Sequence, residues 1–363
     1  MLERCARRSK MLYIAPLSQV RRWNTALVYA TAVFMIWLFL HCSNSMRNLN
    51  HENLQPSVHL VLSTLSSNDY SWTENLGIHD YQVIPYMADD QHAKYHTPAN
   101  QGNEAMGYLT YMHDFYDELP DISIFLHGQD WAWHVDGVLQ YRTSETLNRL
   151  DLTEVLRRKY MSLRVSWYNA CPNWINTSIT VDSPDYLRDI KGEEPFMKDA
   201  FQSLFPGDPL PEILAAPCCS QFAVTRETVR AVPRERYQNA MSWLQNGTLS
   251  SSISGRIWEH LWQWLFLKKA VDCPSEHTTL CRNYHICFDS SDDWEVWKTM
   301  EKRRYDLEEL RKTLPNGEMS ERNEQVISLE KKVQDLERKL GPLREKAILT
   351  GENKARRKKI AGG

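Results

Sequence analysis

Residues 122–130 read Ile-Ser-Ile-Phe-Leu-His-Gly-Gln-Asp (ISIFLHGQD), and this stretch decides the fold. A short apolar run, bounded by Pro120-Asp121 before and by His127-Gly128 after, has the pattern of a strand buried on both faces. Just upstream, residues 104–116 (EAMGYLTYMHDFY) set Ala105, Tyr108, Leu109, Met112 and Tyr116 at helical spacing, with Asn103 as a cap and Leu119-Pro120 as a stop. Residues 58–65 (VHLVLSTL) read as another buried strand, and 81–84 (YQVI), stopped by Pro85, as a further one. Strand, helix, strand is a βαβ unit, so the expected fold class is α/β, a single mixed-sheet domain over residues 57–290.

Outward on the amino-terminal side, residues 25–42 (TALVYATAVFMIWLFLHC) carry no formal charge and are just long enough to cross a bilayer as a helix. Arg4, Arg7, Arg8, Lys10, Arg21 and Arg22 precede them, while only Arg47 follows before Lys94. The positive-inside bias then gives a cytosolic basic tail at 1–24, a transmembrane anchor at 25–43 and a polar stalk at 44–56. The expectation is a single-pass type II membrane protein of the endoplasmic reticulum or Golgi with a luminal carboxyl terminus.

Six cysteines lie beyond the span: Cys171, Cys218, Cys219, Cys273, Cys281 and Cys287. An oxidising lumen would make them disulfide candidates, with local closure expected among Cys273, Cys281 and Cys287. No tight C-x2-C knuckle favours zinc instead. Asn176 and Asn246 head N-glycosylation sequons on the same side of the span.

On the carboxyl-terminal side, residues 145–160 pattern as helix, 163–167 as extended chain and 220–225 (SQFAVT) as a strand, and 226–244 and 255–269 pattern as helices. From 293 the composition turns to Lys, Arg, Glu and Leu. Val326, Leu329, Val333, Leu336 and Leu340 step by 3 and 4, with Gly341-Pro342 as a stop. Met300, Leu307, Leu310 and Leu314 make a seam upstream, and Pro315-Asn316-Gly317 lies between as a turn. The reading for 293–345 is a helical hairpin or coiled coil, with self-association through 326–340 as the intermolecular form. Residues 346–363, ending in KARRKK, read as a basic disordered tail.

A formal net charge of −3 removes nucleic acid from the expected partners, and no glycine-rich phosphate loop, G-x-S-x-G, H-E-x-x-H or C-x-x-C occurs. In order along the chain, Asn103-Glu104-Ala105, Tyr108-Leu109-Thr110-Tyr111, Phe125-Leu126-His127-Gly128, Trp133-His134, Gln221-Phe222-Ala223-Val224 and the run from Gly255 to Trp262 resemble the uncharacterised, mainly fungal family catalogued as domain of unknown function 3431. The resemblance covers residues 57–290 and implies no activity.

Chemistry is therefore read from the residues. His127, Gln129, Asp130 and His134 follow an apolar strand, at the carboxyl edge of a sheet where open α/β folds bind ligands. In glycosyltransferase A-like enzymes of comparable architecture, an acidic motif after a strand holds a divalent cation, Mn or Mg, against a sugar-nucleotide diphosphate. Here Asp130 alone would take that role, assisted by His127 and His134; the structural alternative has both imidazoles bonded to backbone carbonyls. Glu104 either caps its helix or acts as acid/base. Glu259 and His260 lie among tryptophans, where a carboxyl raised by a dry setting suits proton transfer, unless Glu259 simply pairs with Arg256 or Arg226. Asn103, Gln129, Trp131 and Trp133 are the candidate substrate contacts, with Trp72, Trp131 and Trp133 as platforms for a sugar ring. The two expected functions are a luminal glycosyltransferase-like enzyme acting on a nucleotide sugar or glycan, and a non-catalytic carbohydrate-binding or assembly protein of a membrane complex.

Overall fold

The computed structural model describes residues 55–313 and 319–362, the side chains of 319–323 excepted, together with helical Phe34, Met35 and Trp37. The expected cytosolic tail, almost all of the anchor and stalk, and the turn at Pro315-Asn316-Gly317 lie outside these residues. Among the described residues no helix is long and apolar enough to cross a membrane.

The chain runs through β1 (Val58–Thr64), β2 (Tyr81–Met87), α1 (Glu104–Asp114), β3 (Ile122–His127), α2 (Thr143–Arg149), α3 (Leu152–Arg158), β4 (Tyr160–Ser162) and β5 (Ile175–Asn176). It continues through α4 (Met197–Leu204), β6 (Ile213–Leu214), β7 (Phe222–Thr225), α5 (Arg226–Arg230), α6 (Arg234–Asn246), α7 (Ser251–Glu259), α8 (Trp262–Leu267) and α9 (Glu276–Tyr284). The carboxyl-terminal helices are α10 (Ser291–Thr313), α11 (Met319–Glu352) and α12 (Lys354–Ala361).

Five strands form one mixed sheet in the order β2-β1-β3-β7-β4. β1 is parallel to both β2 and β3, while β7 is antiparallel to β3 and β4. Because side chains alternate along a strand, each buried strand feeds two cores. Val61, Phe125 and Phe222 face Tyr108, Tyr111, Trp258 and Trp262 on one side. Leu60, Leu62, Ile124 and Leu126 face Leu280, Trp294 and Trp297 on the other.

Several expectations are corrected. Pro85 does not stop β2 but lies within it, opposite Leu62. β2 is an edge strand, where a missing N–H leaves no ladder partner unsatisfied. The expected helix at 226–244 is divided before Pro233, and that at 255–269 at His260-Leu261. Residues 163–167 are irregular; the strand beside β7 is Tyr160–Ser162.

The carboxyl-terminal segment belongs to the same compact unit as the sheet. Leu307, Leu329 and Val333 make a small cluster between α10 and α11, whereas Trp294, Trp297, Leu340 and Ala347 join the core beneath the sheet. The 326–340 seam therefore has buried partners inside the chain. Gly341-Pro342 does not end α11: Trp297 Nε1 donates to the Leu340 carbonyl and Arg344 Nε to that of Val138, which hold the helix on both sides of the proline. Residues 354–361 are helical instead of disordered; Asn353 caps them, accepting from Ala355 and Arg356 N–H, and Arg282 Nε donates to Ala361 O at 2.6 Å.

The six cysteines lie in three pairs, Cys171–Cys273, Cys218–Cys219 and Cys281–Cys287. Closure is local at Cys281–Cys287, while Cys273 reaches 102 residues back to Cys171. Asn246 is exposed at the end of α6, whereas Asn176 is half-buried, with its side-chain oxygen accepting from Ser178.

Candidate functional site

The carboxyl ends of β1 and β3 and the segment leading into antiparallel β7 meet at one edge of the sheet. His127, the last residue of β3, donates from Nε2 to the Cys219 carbonyl at 3.1 Å. Gly128 follows because nothing larger fits: a Cβ there would stand 2.2 Å from Thr64 Oγ1. Trp72 Nε1 donates to the Gly128 carbonyl at 3.0 Å, so Trp72 fastens a loop to this edge and is half-buried. Cys219 and Ser220 take positive φ values of 87° and 49°, a conformation uncommon for non-glycine residues, and Ser220 Oγ accepts from Trp262 Nε1.

The His134 ring stacks on His127 with centroids 4.5 Å apart, and on Trp133 at 4.0 Å. Burial, then His127 and Arg164, push the His134 pKa down to about 3. Arg164, which the sequence reading missed, sits behind this stack. Its Nη1 lies 3.0 Å from Cys218 Sγ and 3.2 Å from Cys219 Sγ, its guanidinium packs 5.9 Å from the Trp133 ring, and Nε is 3.9 Å from Asp136. Asp136 is buried and accepts the Val165 and Ser166 N–H groups. Burial drives its pKa up despite the opposing pull of Arg164 and those two donors.

On the other side of the edge stand the carboxylates. Burial, then the charges of Glu104 and Glu193, raise Glu259 to about 8 against Arg256 and Arg164. The same Glu104 and Glu259 charges add to burial in holding the Tyr108 phenol well above its ordinary value, and its hydroxyl is buried without a hydrogen bond. Glu104, Tyr108 and Glu259 thus share one electrostatic neighbourhood. Arg256 does not pair with Glu259; its Nη2 lies 2.9 Å from Glu193, fully buried, whose other oxygen is 3.0 Å from His260 Nε2. Arg226 is taken by Asp121 at 3.0 Å. His260 is consequently a buried partner of Glu193. Burial would raise Glu193, but His260 and Arg256 outweigh it and leave it below the ordinary carboxylate value.

Asp130 has a different task from the one expected. One oxygen is 2.7 Å from Arg142 Nη1 and the other accepts the Ser144 N–H at 2.8 Å, so it fastens the start of α2. Burial opposes ionisation there, yet Ser144 and Arg142 prevail and hold the pKa low. Among the described residues no three His, Cys, Asp or Glu side chains are placed to hold a metal ion. His127, Asp130 and His134 do not form a fitting ligand set: the carboxylate is occupied and the two imidazoles face each other.

Among the expected substrate contacts, Trp131 and Trp133 are about half exposed, at 51% and 52%. Gln129 is also exposed, and Asn103 takes φ 51°, makes no side-chain cap, and packs on Gly255. Glu193 and Arg164 left no periodic signal; Arg164 stands in the stretch 163–167, whose pattern says nothing of what its side chain meets.

Fold and site together define an α/β protein with carboxyl, imidazole and guanidinium groups at the carboxyl edge of a mixed sheet. Residues 60–282 match the family described as protein of unknown function (DUF3431), and the chain belongs to that family. No curated protein and no solved structure matches it.

Proposed function

We propose that this protein is a glycosyltransferase-like enzyme of the secretory pathway, anchored as a single-pass type II membrane protein with its catalytic domain in the lumen of the endoplasmic reticulum or Golgi. The observation that carries the catalytic reading is the buried Glu259 carboxyl, raised to about 8 by burial and by the charges of Glu104 and Glu193; the carboxyl edge of an open α/β sheet is where such folds bind ligands. A carboxyl tuned this way exchanges a proton with an acceptor hydroxyl far more readily than an ordinary surface glutamate. Trp131 and Trp133 offer ring faces for a sugar, and Arg164 supplies positive charge beside Trp133. No step is assigned to Mn or Mg, because among the described residues His127, Asp130 and His134 make no ligand set for either.

The topology rests on the uncharged run at 25–42 behind its arginines, and agrees with three cysteine pairs and the exposed sequon asparagine Asn246. A second reading, non-catalytic carbohydrate binding, is favoured by the same exposed tryptophans, which need no proton-transfer group.

The test uses the full chain in detergent. Nucleotide sugars should raise its melting temperature and release nucleoside diphosphate when an acceptor glycan is present. Glu259→Gln should keep the thermal shift and lose turnover. Absence of a shift with every donor sinks the enzyme; glycan binding that Glu259→Gln leaves intact, with no turnover in the wild type, supports the second reading.

A further inference from the structure

Away from Glu104 and Glu259, a cleft of about 310 Å³ lies between the end of α1, the face of α6 and the loop after β2. That volume is at the small end of ligand pockets and suits about a disaccharide. Its floor is built: Tyr86, buried, donates from its hydroxyl to Asp114 Oδ2 at 2.9 Å, and His113 Nδ1 is 3.1 Å from the other oxygen. Tyr95, half-buried, rests 5.8 Å from the Tyr86 ring, and Lys94 Nζ lies 4.7 Å from the Tyr95 centroid. Exposed Gln238 and Gln245 line the opposite wall from α6.

The lining selects the ligand by exclusion. Asp114 and Lys94 are of opposite charge, so the cleft has no strong formal field for an ion. It also opens beside the carboxyl-terminal turn of α1, whose carbonyl end, together with Asp114, disfavours phosphate. What remains is a set of amide, carboxylate and imidazole groups that can both donate and accept, next to tyrosine rings. That combination fits a molecule with many hydroxyls and an apolar C–H face.

We propose that this cleft binds a neutral oligosaccharide, through Gln238, Gln245 and Asp114 to its hydroxyls and through Tyr95 to its ring face. The inference does not depend on catalysis at Glu259.

Saturation-transfer NMR on the full chain in detergent, with maltose, cellobiose, lactose and mannobiose as probes, tests it. At least one disaccharide should show ring-proton saturation with Kd near or below about 1 mM. Gln238→Ala/Gln245→Ala, whose side chains are exposed and whose loss leaves the core intact, should weaken that binding tenfold or more. Tyr95→Ala should do the same and Tyr95→Phe should restore it, while Glu259→Gln should leave it unchanged. The proposal is overturned if no probe is saturated, if binding persists in the folded double variant, or if a nucleoside diphosphate competes for the same residues.

Discussion

The imidazole of His134 lies face to face with that of His127, with 20° between the ring planes. A positive charge on His134 would be buried, beside a second imidazole and near the Arg164 guanidinium, and these causes in that order bring its pKa to about 3. The unfolded chain would protonate the same residue near pH 6.5. Between those values the unfolded state holds the extra proton, so this contribution to stability is complete above about pH 6.5 and is lost as pH falls towards 3. The slope is at most about 1.4 kcal/mol per pH unit. Denaturant titrations at pH 7 and pH 5 should show this loss, and His134→Gln should flatten it; an equal loss in the variant would refute the assignment.

Glu259 has the opposite sign. Its folded value of about 8 exceeds the ordinary 4.5, so the folded state holds the extra proton between those values and stability falls as pH rises through the window. If Glu259 removes the acceptor proton, turnover should climb as pH passes about 8 and level off above it. Glu259→Gln should lower kcat by about 10²- to 10⁴-fold with little change in donor binding. A profile flat from pH 6 to 9 would remove Glu259 from the reaction.

Asp130 should behave as a structural carboxylate. Losing its bond to the Ser144 N–H and its pair with Arg142 should cost about 1 kcal/mol in Asp130→Ala, as for other lost helix caps. Any response of the protein to Mn²⁺ or Mg²⁺ should be unchanged in that variant. A retained melting temperature with altered metal response would restore Asp130 as a ligand.

The sequence made the centre of the sheet legible because ISIFL is a fully buried strand and VHLVLST is buried but for half-buried His59 and Ser63, and such apolar runs announce themselves without knowledge of their neighbours. It also singled out His127 and His134, which stack on each other at the end of β3, and Glu104 and Glu259, whose charges act on one another. It did not reveal that Asp130 is bound by Arg142, or that Arg256 chooses Glu193 over Glu259, because ion-pair partners 12 and 63 residues apart are fixed by packing that no local pattern records. Pro85 misled for a related reason: whether a proline ends a strand depends on whether that strand lies at an edge.

Of the two readings left open for 293–345, α10 and α11 make the helical hairpin, joined at Leu307, Leu329 and Val333; what the sequence did not show is that α11 runs on through Pro342 and packs on the domain, and that packing carries a sharp prediction. A 3,4 spacing of leucines looks the same whether it packs on a partner chain or on its own domain. Here Gly351 stands so close to the other helices that a Cβ would come within 1.8 Å of the His285 carbonyl, and Cys287 N donates to Ala347 O at 2.9 Å. Gly351→Ala must push α11 off that backbone and should cost about 1–3 kcal/mol, the usual range for overpacking. Deleting 291–363 should be far more damaging, because it uncovers Phe288, Leu280 and the underside of the sheet where Trp294 and Trp297 now lie. The truncated chain should aggregate or bind a hydrophobic dye at temperatures where the full chain stays folded. A cooperative melt of the truncated chain at the full-length temperature would show that these helices only decorate the domain.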